Sequence, residues 1–493
     1  MEQTIAINFK GGIISPGILY NILVAATKAN VRTVRFGLRQ QLLVDVASYH
    51  IDTFTGELDQ LAIPHERGHN TCPNIVSSYP AEGIFISNTW LTEGVYKDVL
   101  DAIDFEPAVK VNISDSDQSF TPMLTGNINW IASSVNEHYW HLIIRFPKTN
   151  VTYEWDQLCY TNHIATVTQL LEQIITNNAE QFIDNEMASG ASLFSMLEQN
   201  DFILKSAENP VALSSFNLPY YEGLNPYNNK YWLGIYRRDE LFDIAFLKKL
   251  CQLCLETKLG QLCCTPWKSI IIKGIDEKDK AHWNKLLEEF KLNMRHAANE
   301  LNFQVEDNCL EGLALKSFLV KHLSIDDTRT FGICFGIKTR KKSEVFSSIL
   351  IQQRYLLNCF GLKLFPVYDI LCAKDFNPNE RTGEIFSRSN PKTILPEQLR
   401  RAILRFHQYR SATIKLHNQS PISPQRETAP PAVAMVHQCS ICLTVYHPEI
   451  GEPENDIQPG TIFENLSENY GCSLCGGAKS SFKPVAIAAL QTL

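Results

Sequence analysis

Apolar positions along the chain alternate between helical and extended spacing, and the changes of period mark its elements. Near the start, Ile18, Leu19, Ile22 and Leu23 recur at helical spacing behind Gly11-Gly12-Ile13-Ile14-Ser15-Pro16-Gly17. Ser15 suits the N-cap, and Pro16 suits the first helical position, where its missing N–H costs no bond. That helix leads into Val31 to Val46, a β-rich run. The same order returns later, with a helix from about Leu241 to Glu256 and then an extended run from Leu262 to Ile272. Laid together, Arg39-Gln40-Gln41-Leu42-Leu43-Val44 faces Trp267-Lys268-Ser269-Ile270-Ile271-Ile272. A longer α+β stretch follows each small unit, at roughly 115–210 and 301–400. A small unit and a large unit, each present twice, predict a body with pseudo-twofold symmetry.

Past the second large unit, Leu399, Ala402, Ile403 and Phe406 predict a helix over Leu395 to Tyr409, with Arg400, Arg401, Arg405 and Arg410 on its other faces. From Ser411 to Met435 the periodicity stops. Pro421, Pro424, Pro430 and Pro431 stand among Ser, Thr, Gln and Asn, which reads as a semi-extended linker. The expected organisation is therefore a first small half (1–75), a first α+β unit (76–215), a second small half (216–300), a second α+β unit (301–410), a linker (411–435) and a terminal module (436–485). A chain of 493 residues is too long for one core, which agrees with this division.

Composition narrows the function classes. With 44% hydrophobic and 20% charged residues the chain has the make-up of an ordinary folded protein. Its net charge of −8 argues against a nucleic-acid partner, since phosphate binding draws on a basic surface. The start, Met1-Glu2-Gln3-Thr4, lacks the pattern of a secretory signal, and no run approaches the roughly 18 apolar residues that span a bilayer. The expectation is a cytoplasmic protein with no membrane contact. Fourteen cysteines then read as buried thiols or metal ligands rather than disulfides. Ten are scattered from Cys72 to Cys372, and four form two tight pairs at the end.

Those pairs are Cys439-Ser440-Ile441-Cys442 and Cys472-Ser473-Leu474-Cys475, with the segment Leu443 to Gly471 between them. Each pair can chelate from one tight turn, and four thiolates in a tetrahedron select iron or zinc. On the cysteines alone, a structural zinc ribbon is as good a reading as an iron centre. The residues between the pairs carry more. Tyr446, Pro448, Gly451, Pro459-Gly460-Thr461, Phe463 and Tyr470, followed by Gly476, Lys479 and Phe482, resemble rubredoxins over about Val436 to Pro484. The resemblance implies a single iron held by Cys439, Cys442, Cys472 and Cys475, cycling between ferric and ferrous states. It also implies a small core that depends on the metal. Three positions depart from the family: Leu443 stands for the usual glycine, His447 for aspartate and Tyr470 for tryptophan. A non-glycine at positive φ would cost roughly 1 kcal/mol, so Leu443 bears on the reduction potential through the N–H bonds to sulfur. The module is acidic, with Glu449, Glu452, Glu454, Asp456, Glu464 and Glu468 against Lys479 and Lys483. This is either a docking face for a basic redox partner or a solvated surface.

The body carries a second resemblance. Gly12 to Tyr20 with Val34-Arg35-Phe36-Gly37-Leu38-Arg39-Gln40-Gln41 is similar to the first ferredoxin-like half of the sirohaem-containing nitrite and sulfite reductases. Leu262-Cys263-Cys264-Thr265-Pro266-Trp267-Lys268 is similar to their second half, and Thr125-Gly126-Asn127-Ile128 to the start of their cofactor-facing domain. The implied fold class is α+β: a duplicated reductase-like body with a small metal-bound module. Arg35, Arg39 and Lys268 are the residues the resemblance offers to sirohaem carboxylates or an anionic substrate, with surface or structural cations as the plainer reading. Cysteine, at Cys263 or Cys264, stands where an arginine is expected. The family also binds a [4Fe–4S] cluster through C-x5-C and C-x3-C pairs. Cys309, Cys334, Cys359 and Cys372 stand singly, too far apart along the chain to form either pair. The complete reductase site is therefore not expected.

Other features weigh less. Cys251 and Cys254 on a helix with Cys263 and Cys264 on a strand could suggest a second metal site, but adjacent strand residues face opposite ways and the surroundings are apolar. Arg295-His296 reads as structural, and Lys338 to Lys342 as a solvated turn. The leading expectation is one-electron transfer by a tethered rubredoxin centre, with a redox partner protein that donates to it or a sirohaem reductase of nitrite or sulfite assimilation that accepts from it. The alternatives are a sirohaem-dependent reductase with built-in electron delivery, and a zinc-stabilised binding protein without redox role.

Overall fold

The computed structural model describes residues 2–486, apart from 69–71, 87–88, 198–201, 212, 341–344, 360–361, 381–382, 418–434, 443, 449–450, 453–454, 456 and 459. It divides into two compact units, 1–413 and 414–493.

In the first unit, two helix-and-strand segments exchange strands. Helix Pro16–Lys28 starts with proline in its first turn, as expected, although the Ser15 side chain makes no capping bond. Its counterpart, Ile244–Glu256, is capped by Asp243, which accepts from the Phe246 N–H at 3.1 Å. The two helices pack against each other in one core that includes Leu19, Ile22, Leu23, Leu247, Leu250 and Cys254. The extended run expected over Leu262 to Ile272 is two strands, Leu262–Cys264 and Ile270–Ile275, joined by the turn that carries Lys268.

Each small half builds a five-stranded sheet. One contains Glu2–Ile7, Thr33–Phe36, Leu42–Ala47 and Glu66–Arg67, and takes its last strand, Phe242–Asp243, from the other half. The second contains Gly223–Tyr227, Lys230–Ile235, Ile270–Ile275 and Leu262–Cys264, and takes Ile13–Ile14 in return. Phe242 pairs with Val34, and Leu262 pairs with Ile14. The expected segments 1–75 and 216–300 are therefore interlocked rather than separate.

The larger sheets repeat one pattern. Val76–Ser77, Val111–Ser114 and Ile128–Ala132 run parallel, and Tyr139–Arg145 then turns back antiparallel. Phe303–Val305, Phe335–Lys338 and Ile349–Cys359 are likewise parallel, and Leu362–Ala373 returns antiparallel. Helices Glu93–Ala102 and Leu310–Ile325 make the first crossover in each, as a parallel pair requires. The helix expected over 395–409 runs from Leu395 to His417, so the start of the expected linker is helical, and 418–434 lie outside the described residues.

The second unit is a three-stranded antiparallel sheet, ordered Val445–Tyr446, Met435–Cys439, Phe482–Ala486. Its core is small: Cys439, Tyr446, Phe463, Leu466, Tyr470, Cys472 and Phe482. Phe463 sits at its centre, with ring contacts to Tyr446, Tyr470 and Phe482 at 5.2–5.9 Å and a stacked His437 at 4.0 Å. Among the described residues no helix is long and apolar enough to cross a membrane.

Candidate metal centre

Two short turns carry the four sulfurs. Cys439 ends a strand, and its N–H donates to the Thr444 carbonyl at 2.8 Å, which folds the first C-x-x-C pair back on itself. The second turn repeats this closure: the Cys472 N–H donates to the Gly477 carbonyl at 2.8 Å, and the Gly476 N–H donates to the Cys472 carbonyl at 2.8 Å. Gly476 has φ 69°, the left-handed conformation that glycine adopts without penalty. Leu443, the corresponding position of the first turn, lies outside the described residues.

These turns bring Cys439, Cys442, Cys472 and Cys475 together, with all four sulfurs within 4.8 Å of one another. The Cys439–Cys475 and Cys442–Cys472 sulfurs are 3.8 and 3.5 Å apart. A tetrahedral ion with metal–sulfur bonds of about 2.3 Å needs edges of roughly 3.8 Å, so the quartet fits one ion. Among the described residues it is the one group of three or more candidate ligands this close.

Electrostatics agree. Thr444, whose hydroxyl lies 3.2 Å from the Cys442 sulfur and whose N–H also bonds it, draws the pKa of that thiol down to about 6. At Cys475 the Gly477 N–H acts in the same direction, but the sulfurs of Cys442, Cys472 and Cys439 outweigh it and push the thiol up to about 12. Four clustered thiols cannot all ionise unless a cation joins them. The ligands also differ in access: Cys439 and Cys472 are buried, Cys442 is half-buried and Cys475 is exposed. Ile441 and Leu474, one in each turn, are 65% and 73% exposed. The centre thus has a closed side and an open side with an apolar surround.

One of the departures from the rubredoxin pattern, Tyr470, is accommodated in the core. Tyr470 packs where tryptophan is usual, and its hydroxyl donates to Glu452 at 3.0 Å. Lys479 donates to the Leu466 carbonyl at 2.6 Å and fastens the second turn to the loop before it. Sequence reasoning places Glu452 only among surface acids. No periodicity or spacing marks it, because its role comes from contacts across the fold.

The body residues are placed differently. Arg35 is ion-paired with Asp45, and its other arm donates to Asn308 at 2.8 Å. Arg39 is buried, with its guanidinium on the carbonyls of Asn74, at 2.7 Å, and Val111, at 3.1 Å. Lys268 is buried between Glu240, at 2.6 Å, and Asp307, at 3.3 Å. Burial opposes the Lys268 charge, but these two carboxylates outweigh it and hold its pKa above the usual value. Beside this pair lies a second buried lysine that sequence reasoning does not single out. Lys316 donates to the Tyr236 hydroxyl, and burial lowers its pKa to about 8 despite Glu240 and Glu300. Each of the three expected anion-binding cations is thus held by the chain's own acceptors.

Cys309 caps helix Leu310–Ile325, accepting from the Gly312 N–H at 3.3 Å. Cys334, just before strand Phe335–Lys338, and Cys372, on strand Leu362–Ala373, are both buried, and burial pushes their thiols up to about 12 and 11. The Cys359 side chain lies outside the described residues. Cys251 and Cys254 pack in the core of the two small halves. Cys264 faces that core, whereas its neighbour Cys263 faces the core of the first large sheet. His296 is a structural residue, in line with its sequence reading: its Nδ1 meets the buried Glu222 carboxylate at 2.6 Å. Lys338 ends a strand, and Lys341 and Lys342 are outside the described residues.

Residues 436–482 match the rubredoxin family. A probable rubredoxin of Methanothermobacter thermautotrophicus is 47% identical over 49 residues, 10% of this chain and 78% of that protein. Rubredoxin-2 of Chlorobaculum tepidum is 44% identical over 48 residues, 10% of this chain and 92% of that protein. Among solved structures, the NirA protein of Mycobacterium tuberculosis is similar with a TM-score of 0.63, covering 84% of each chain at 13% identity. At that identity the likeness is one of fold.

Proposed function

The chain belongs to the rubredoxin family through its C-terminal module, and we propose that it is a one-electron carrier whose rubredoxin centre is tethered to a nitrite/sulfite-reductase-like body. The sulfur quartet carries this reading: four ligands at tetrahedral spacing, one of them exposed and a second half-buried. Bound iron supplies a ferric–ferrous couple at such a site. The protein holds the buried pair, Cys439 and Cys472, in its aromatic core, and offers the other pair to a partner. Ile441 and Leu474 would exclude water from that contact when the partner docks, and the acidic residues of the module suit a basic surface on it.

The partner proposed is a redox protein, either a reductase that feeds the centre or a sirohaem reductase of nitrite or sulfite assimilation that draws from it. The body would serve as the docking frame, and the tether would keep the carrier at high local concentration beside it. The arrangement of Arg35, Arg39 and Lys268 favours this over a sirohaem enzyme with built-in delivery. Sirohaem carboxylates need cationic forks facing them, and these cations face Asp45, backbone carbonyls, and Glu240 with Asp307. As placed, they do not fit that group.

The test is metal content with an absorption spectrum of the full-length chain purified from iron-replete cells. About one iron per chain and thiolate-to-iron bands, with no porphyrinoid bands after incubation with sirohaem, is the expected result. Zinc in place of iron would sink the carrier reading. Stoichiometric sirohaem uptake with nitrite or sulfite reduction would replace it with the enzyme reading.

A further inference from the structure

Glu452 stands out among the acidic residues of the module because it is fixed in place. Its backbone pairs with Ile457 in an isolated bridge, with N–H to carbonyl distances of 3.0 Å both ways. Its side chain then receives three hydrogen bonds. The Ser473 hydroxyl donates to one carboxylate oxygen at 2.9 Å. The Tyr470 hydroxyl and the Asn455 amide donate to the other at 3.0 and 2.8 Å. Ser473 lies inside the second C-x-x-C pair, next to the ligand Cys472, and Tyr470 lies just before that ligand on its other side. A carboxylate held by both flanks of one ligand cannot swing away into solvent as a surface glutamate does.

We propose that Glu452 is a positioning and charge-setting residue of the metal centre: it clamps the second cysteine turn and fixes a negative charge beside it, which lowers the reduction potential. This rests on the iron reading above. Four thiolates around a ferric ion carry a net charge of −1. One electron from an external one-electron donor takes this to −2, with no bond broken and no proton required. A fixed anion nearby raises the energy of the more negative state. The screening that weakens exposed charges acts less on a carboxylate pinned against the site.

The experiment is spectroelectrochemical titration of the iron-loaded full-length chain, with small one-electron mediators, in the parent and in Glu452→Gln, Ser473→Ala and Glu468→Gln. Glu452→Gln keeps the size and an acceptor oxygen but removes the charge. The reduced-to-oxidised ratio at fixed potential should rise about threefold, roughly 28 mV at 59 mV per decade for one electron. Glu468 is 95% exposed at its side chain, so removing its charge should shift the ratio less. Ser473→Ala leaves the charge but releases one anchor, and a smaller rise is expected. It tests the same claim should Glu452→Gln fail to hold iron. A Glu452→Gln potential equal to the parent's, or a shift no larger than that of Glu468→Gln, overturns the inference, as does an unchanged potential in Ser473→Ala. These results would leave the carrier reading intact, whereas a chain that takes up no iron overturns both.

Discussion

Lys268 shows why residue identity alone does not give a role. Its neighbours on the turn, Trp267 and Ser269, are local, but the carboxylates that fix its charge, Glu240 and Asp307, come from other segments. Glu240 and Asp307 would lose their shared counter-ion in Lys268→Met, leaving the buried Glu240 without its ion-pair partner beside a half-buried Asp307. The body should lose about 3–5 kcal/mol, read as an earlier urea midpoint. A midpoint within error of the parent would show that the pair is dispensable. Lys316 gives a prediction of opposite kind, because burial lowers its folded pKa to about 8 from 10.5. Below pH 8 the folded and unfolded chains both carry the proton. Between pH 8 and 10.5 mainly the unfolded chain does, so stability rises with pH through that window, by up to about 3 kcal/mol. Lys316→Met should remove this rise, measured as the difference in urea midpoints at pH 7.5 and 10. Equal rises in parent and variant would assign the effect to other groups, including the buried thiols common to both.

Elements were legible where one face of a helix or strand is buried locally. The apolar spacing behind Pro16 and around Leu247 placed both helices of the small halves, and the repeat of helix then strand was visible as a repeat. The strand exchange was not. Ile13–Ile14 and Phe242–Asp243 are too short for any periodicity, and their partners lie in the opposite half of the body. Their pairing has a consequence. Fragments 1–215 and 216–413 each lack an edge strand that the other supplies, and they divide one helix–helix core. Expressed alone, neither should show a cooperative thermal transition by circular dichroism. Mixed or co-expressed, they should co-purify and melt together. Independent cooperative melting of either fragment would show that the exchange is ornamental to stability.

At the scale of the whole molecule, the 1–413 body and the 414–493 module have separate cores. A core as small as the one around Phe463 cannot sustain the module without its metal, whereas the body has cores of its own. Stripping the metal with a chelator should therefore abolish the visible bands and the module's calorimetric transition and leave the body's transition in place. A fall in the body's midpoint on metal removal would show that the two units are energetically coupled.

The metal quartet was determined by the sequence alone, because each half of the site is one short turn and the spacing itself sets the ligands. The repeated order of helix then strand was also legible, since repeated order survives where residue identity does not. Tertiary structure decided what the charged residues do. Arg35, Arg39 and Lys268 look alike in sequence as candidates for an anion, yet the fold buries Arg39 and Lys268 and pairs all three with acceptors of the chain. Glu452 looks like any surface acid, yet three donors fix it against a ligand turn. Local spacing can specify a chelate. The state of a charge depends on what the fold brings to within hydrogen-bond reach of it, and that is set by packing across the chain.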